Sequence, residues 1–136
     1  MAALVDTSAW IEFFKPRGLD TVRQAVGDAL EEGLVITTAP VLAELLVGLQ
    51  PTRATDAKAI QLLQGLTVVD LTWMVCDQAG ALGRATARRG QRVPTVDLLI
   101  AAAAMSEDHE VWHVGDQHFV LLGHVSRLRQ INLARP

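Results

Sequence analysis

Four acidic residues stand where a carboxylate can do chemistry: Asp6, Glu44, Asp97 and Asp116. Asp6 closes the apolar run Ala2-Ala3-Leu4-Val5, and Asp116 closes Val111-Trp112-His113-Val114 after one glycine. Glu44 sits among Ala43, Leu45, Leu46 and Val47, and Asp97 is the single charge between Val93 and Met105. Carboxylates gathered in one place repel and raise each other's pKa, so such a cluster persists as anions only against a cation. Oxygen donors with no His or Cys among them suit a hard ion, Mg²⁺ or Mn²⁺. That ion lowers the pKa of a bound water and neutralises charge on a phosphodiester, which makes hydrolysis of phosphodiesters the natural reaction. One of the four acids could then steer the water as general base. Singly, each has an ordinary role: a strand-end turn for Asp6 and Asp116, a solvated helix face for Glu44, a helix start for Asp97. Joint placement is what would make them a site.

The elements that must position them are legible in the hydrophobic pattern. Ala2 to Val5 and Leu34 to Ile36 are short continuous apolar runs, the pattern of strands covered on both faces, Leu66 to Leu71 and Val111 to Val114 read as a third and a fourth strand, and Leu128 to Leu133 can add a fifth. Between them lie helical spacings: Trp10 to Phe14, Leu19 to Leu30 ended by Gly33, Val41 to Leu49 after Thr38-Ala39-Pro40, Ala57 to Leu63, and Trp73 to Arg89 capped by Thr72 and closed by Gly90. Val93 to Met105 reads as a helix entered through Thr95 as cap and apolar on every side, as only a helix buried all round should be. A short last helix is expected near Phe119 to Leu122. The alternation predicts an α/β fold, a parallel, Rossmann-like sheet of four to five strands with helices on both faces and right-handed crossovers. In such sheets ligands bind beyond the carboxyl ends of the strands, near the switch in strand order. Asp6 and Asp116 point to that rim, and Glu44 and Asp97 can be delivered to it.

Composition bounds the rest. The 136 residues suit one domain, 1–136, with a real core. A net charge of −3 gives no global attraction to nucleic acid, so any basic surface is local. Arg84, Arg88, Arg89 and Arg92 are bunched, and Arg84 with Arg88 shares a helix face able to grip phosphates. The single cysteine, Cys76, excludes an internal disulfide framework, fits a reducing compartment, and reads as a small buried residue. The start carries no signal-peptide pattern and no apolar run is long enough to span a bilayer, so a cytoplasmic protein without membrane contact is expected.

In order and spacing, Leu4-Val5-Asp6-Thr7-Ser8, Ala43-Glu44-Leu45, Arg89-Gly90, Val93 to Ala103 and Asp116-Gln117-His118-Phe119 resemble the PIN-domain ribonucleases, with the nearest likeness to VapC-type toxins of bacterial toxin–antitoxin pairs. The resemblance runs through nearly the whole chain. It implies a PIN-like fold, Mg²⁺- or Mn²⁺-dependent endonucleolytic cleavage of structured RNA, homodimerisation, and inhibition by a cognate antitoxin that covers the acidic pocket. It also implies that Asp6, Glu44, Asp97 and Asp116 are the catalytic, metal-holding set. The chain departs from the pattern at Val114-Gly115, where many relatives carry Thr, Ser or Asn just before the fourth acid; Thr7, Ser8 or Thr95 could supply that polar group. Ser8, Thr95, Arg84 and Arg88 are accordingly the candidate substrate contacts.

Rival readings remain. A haloacid-dehalogenase-type phosphatase needs a second aspartate two positions after the first, where Ser8 stands, and a downstream lysine, whereas only Lys15 and Lys58 occur. A phospho-acceptor receiver domain needs an acceptor at the end of its third strand and a late lysine, whereas Asp56 follows the polar Pro51 to Thr55 rather than a strand and no lysine occurs after Lys58. A PIN-like protein that binds RNA without cutting it is the closer alternative, because geometry rather than residue identity decides whether a water is placed in line. Trp10, Ile11, Phe13 and Phe14 exceed what one short helix can bury, leaving apolar surface for an antitoxin or second subunit. The four histidines form no recognisable ligand spacing and stay unassigned.

Overall fold

The computed structural model describes residues 1–135. Among these, five parallel strands form one sheet: β1 (Ala3–Val5), β2 (Val35–Thr37), β3 (Thr67–Val68), β4 (Glu110–His113) and β5 (Gln130–Asn132), in the order β3-β2-β1-β4-β5. Seven helices alternate with them: α1 (Thr7–Phe14), α2 (Asp20–Glu31), α3 (Ala39–Gly48), α4 (Ala54–Gln64), α5 (Trp73–Ala87), α6 (Thr95–Ser106) and α7 (Gln117–Val125). The expected α/β class and parallel sheet are therefore observed.

β1 is central and fully buried, which is why its sequence is apolar at every position instead of alternating. Its register places Leu4 opposite Ile36 on one side and Val111 on the other. Sequence order runs outward from β1 through β2 and β3, then returns across β1 to β4 and β5, so the switch in strand order lies between β1 and β4. Right-handed crossovers then send the helices before β3 to one face and α5, α6 and α7 to the other. Packing agrees: α1 meets α2 and α3, while α5, α6 and α7 meet one another.

α6 is the pillar of the second face. Leu98, Ile100 and Ala101 to Ala104 are buried, as the all-round apolar pattern requires. Small side chains let α5 approach closely, and a Cβ placed on Gly83 would lie 3.0 Å from Leu98 Cδ1. Between α1 and α2, Gly18 is needed for a different reason: a Cβ there would collide with the Glu12 carbonyl. No helix among the described residues is long and apolar enough to cross a membrane.

Several expectations are corrected. The third strand is Thr67–Val68 alone, exposed at the sheet edge; Val69 still donates to the Thr37 carbonyl (2.8 Å), after which the chain leaves the sheet. Thr95 does not cap α6. Pro94 occupies the cap position, its φ held by the ring and with no side-chain acceptor, and Thr95 becomes the first helical residue. Cys76 is exposed, because the buried stripe of α5 is Val75, Ala79, Leu82 and Thr86 and leaves position 76 off it. The long helix ends at Ala87, and the last helix extends over Gln117–Val125. Of the aromatic cluster, Trp10 is fully buried and stacks on Phe14 (5.4 Å), Phe13 and Phe14 are half-buried, and Ile11 is exposed.

Candidate active site

Asp6 and Asp116 enter the rim by the same local device. Each follows a strand, takes extended backbone, and caps the next helix: Asp6 Oδ2 accepts the Ser8 amide (3.1 Å) and Asp116 Oδ1 accepts the His118 amide (2.9 Å). Because β1 and β4 are neighbours, the Asp6 amide continues their ladder by donating to the Trp112 carbonyl (2.8 Å). Two residues, Val114 and Gly115, separate β4 from Asp116, and Gly115 at φ +65° turns the chain in a conformation that suits glycine. Asp97 lies in the first turn of α6. Three helix N-termini thus bring three carboxylates together, each favoured by the positive end of its helix.

The electrostatics show that the three share one field. Burial pushes the Asp6 carboxyl above its ordinary range; hydrogen bonds from Ser8 pull it back and the charge of Asp116 raises it further. For Asp97, burial and then the charges of Asp116 and Asp6 raise the pKa to about 6, against the opposing pull of His118. Among the described residues, no lysine or arginine forms an ion pair with any of the three. Their one basic partner is His118, whose Nδ1 lies 3.1 Å from Asp97 Oδ2 and 3.3 Å from Asp116 Oδ1. One ligand atom from each of Asp97, Asp116 and His118 falls within 4.8 Å of the others, a spacing able to hold a metal ion. Mutually repelling carboxylates beside one imidazole and without a fixed cation suit a divalent ion, so the residues present fit a divalent metal.

Glu44 is placed differently. It is exposed on α3, and its Oε1 accepts from the Thr7 hydroxyl (3.0 Å), so it stands beside the residue that follows Asp6. Ser8 has its hydroxyl engaged within the protein: it donates to Asp6 Oδ2 (2.6 Å) and accepts the Val114 amide (3.1 Å). A hydroxyl from α1 therefore meets the loop where Val114-Gly115 departs from the familiar pattern. Thr95 is exposed, two residues before Asp97. Arg84 lies in the last turn of α5 and Arg88 is its C-cap; both are exposed, in the segment that leads through Arg89 and Arg92 into the N-terminus of α6.

Two histidines escape sequence reasoning. His118 falls two residues after Asp116, a spacing with no ligand signature, and only the docking of α6 brings Asp97 to it. His113 is completely buried in β4 and accepts the Asp116 amide on Nδ1 (3.1 Å). A lone histidine in an apolar strand carries no sequence signal for that role.

The PIN domain family matches residues 3–123. No curated protein matches the chain by sequence. Among solved structures, VapBC2 from Rickettsia felis, bound to a DNA fragment from its promoter, superposes with a TM-score of 0.77 at 19% identity, covering 97% of this chain and 98% of that one. VapBC-1 from nontypeable Haemophilus influenzae gives 0.76 at 20% identity, covering 99% and 100%. VapBC-5 from Mycobacterium tuberculosis, a member of the VapBC family of toxin–antitoxin systems, gives 0.69 at 27% identity, covering 97% and 99%.

Proposed function

The chain belongs to the PIN domain family over residues 3–123, and from that membership we propose that it is a metal-dependent endoribonuclease, the toxin of a toxin–antitoxin pair. Its substrate is a structured RNA (tRNA, rRNA or mRNA) and its effect is to inhibit translation or growth in the cytoplasm. The observation that carries this reading is the meeting of Asp6, Asp97 and Asp116 at the strand-order switch with no lysine or arginine among the described residues paired to them. These three, with Glu44 approaching through Thr7, hold Mg²⁺ or Mn²⁺. When bound, that ion supplies positive charge against the scissile phosphodiester and acidifies water.

The protein's own groups do the rest. Ser8 orients Asp6 by donating to it, and the helix N-termini favour the anionic forms. Arg84 and Arg88 hold RNA phosphates, supplying the local positive surface that an overall charge of −3 does not. Thr95, exposed at the entry of α6, meets the substrate near Asp97.

The antitoxin and a second copy of the chain are the expected partners. Exposed apolar side chains support this: Val47 on α3 is 87% exposed, and Trp73 and Met74 on α5 are 83% and 80% exposed. The test is incubation of total cellular RNA with antitoxin-free protein in Mg²⁺, in Mn²⁺ and in chelator, with mapping of the ends. Discrete cuts that require the metal are expected. RNA binding without cuts in either metal would replace the nuclease reading with that of a non-cleaving RNA-binding PIN protein.

A further inference from the structure

The loop that carries Asp116 has no hydroxyl of its own, yet its three consecutive amides are each held by a side chain from elsewhere. Val114 N–H donates to Ser8 Oγ (3.1 Å), Gly115 N–H to Asn132 Oδ1 (3.0 Å) and Asp116 N–H to His113 Nδ1 (3.1 Å). An imidazole nitrogen that accepts an amide proton is unprotonated, so the ring proton of neutral His113 sits on Nε2. That nitrogen lies 2.6 Å from Gln130 Oε1, an acceptor placed to receive it. One tautomer therefore satisfies both bonds, and the other leaves the Asp116 N–H without its acceptor.

The pair is built into the fold. His113 is fully buried, and its ring lies 5.5 Å from that of Phe119, the buried aromatic of α7. On the other side, α7 presents Gly123 to Gln130: a Cβ there would lie 3.1 Å from Gln130 Cγ and 3.6 Å from its Nε2. A larger residue at 123 would press on the glutamine, so the helix that Asp116 caps also leaves space for the group that anchors His113. Gln130 and Asn132 both come from β5, the edge strand next to β4.

We propose that His113, anchored by Gln130, is a positioning residue for Asp116, and that β5, through Gln130 and Asn132, sets the approach of that carboxylate to the acidic site. His113 touches no substrate; it acts by fixing the main chain from which Asp116 springs. Outer partners of this kind commonly alter metal affinity 10–100-fold when removed. The metal consequence rests on the nuclease reading above, whereas the positioning itself is a property of the metal-free protein.

Two substitutions separate the two ring nitrogens. Asparagine at 113 puts an amide oxygen near the place of Nδ1 but cannot reach Gln130. Glutamine reaches toward Gln130 but leaves Asp116 N–H without its acceptor. In the metal-free protein, long-range ¹H–¹⁵N correlation spectra at pH 7.5 should show His113 protonated on Nε2 alone, and hydrogen exchange at the Asp116 amide should be slow. His113→Gln should speed that exchange about tenfold or more and weaken Mn²⁺ binding by about 10–100-fold. His113→Asn, which keeps the acceptor but loses the Gln130 anchor, should fall between the wild type and His113→Gln in both. Gln130→Met, which leaves the loop's own residues untouched, should also speed exchange at Asp116.

A ring protonated on Nδ1, equal behaviour of the two His113 variants in exchange, or unchanged exchange in Gln130→Met would overturn the positioning role. Failure of the wild-type protein to bind Mn²⁺ would instead refute the metal reading, with the exchange data still deciding the role of His113.

Discussion

His118 Nδ1 lies 3.1 Å from Asp97 Oδ2, joining the first turn of α7 to the first turn of α6 across the switch in strand order. It is the one basic group among the described residues that meets the carboxylate cluster, and its presence lowers the Asp97 pKa against the other influences. His118→Ala should therefore push the Asp97 carboxyl higher than about 6. A carboxyl ¹³C titration of metal-free protein measures this, and a midpoint that stays put or falls would show that the contact has no electrostatic weight.

The pH dependence of the metal-free protein follows from the same carboxyls. Asp97 and Asp6 both have raised pKa values in the fold, Asp97 to about 6, so the folded state holds protons that the unfolded chain releases near pH 4. Stability from these groups is present below about pH 4 and is lost as pH rises through about 6. Thermal melts in chelator should thus show Tm declining across that window, and Asp97→Asn should flatten the decline and raise Tm at pH 7.5 by about 3 °C or more. Adding Mn²⁺ should reverse the decline in the wild type, because the ion takes the place of the protons. A Tm that climbs through the window in chelator would contradict the raised pKa values.

Gly115 should resist substitution beyond its size. Nothing lies within 4 Å of a Cβ added there, but φ is +65°, so alanine is strained by backbone alone. Gly115→Ala should cost about 1–2 kcal/mol of stability and shift the Asp116 amide resonance. A variant as stable as the wild type, with that resonance unmoved, would mean the turn is less constrained than its geometry implies.

The arginines preceding α6 should act on RNA through charge. Arg84→Ala with Arg88→Ala should reduce the slope of log affinity against log salt by about 1–2 for single-stranded segments, reflecting two lost phosphate contacts. Mn²⁺ affinity should change little, since neither arginine pairs with the acids. Unchanged RNA affinity across several salt concentrations would remove both residues from the substrate surface.

What the sequence reveals and conceals follows from how local each signal is. Asp6 and Asp116 are legible because a strand end, a capping carboxylate and the first turn of the next helix are contiguous in the chain. Asp97 is legible because a lone charge in a helix buried on all sides stands out. The edge strand β3 is overread because Leu66, Val68, Val69 and Leu71 make the segment largely apolar, whereas pairing ends where the sheet has only one neighbour to offer. Pro94 and Thr95 exchange roles because cap position depends on where extended backbone stops, which Pro94 fixes. His118 and His113 stay hidden: the first needs α6 docked beside α7, and the second needs Gln130 from the next strand to define its tautomer.

The most direct test of the acidic centre is calorimetric titration of Mn²⁺ into antitoxin-free protein at pH 7.5, beside folded Asp97→Asn and Asp116→Asn variants. The account predicts saturable binding in the wild type and at least a tenfold loss of affinity in each variant, with Tm in chelator maintained or raised for Asp97→Asn. Equal binding by all three proteins, or none by the wild type, would contradict the claim that Asp6, Asp97 and Asp116 form a cation-holding centre.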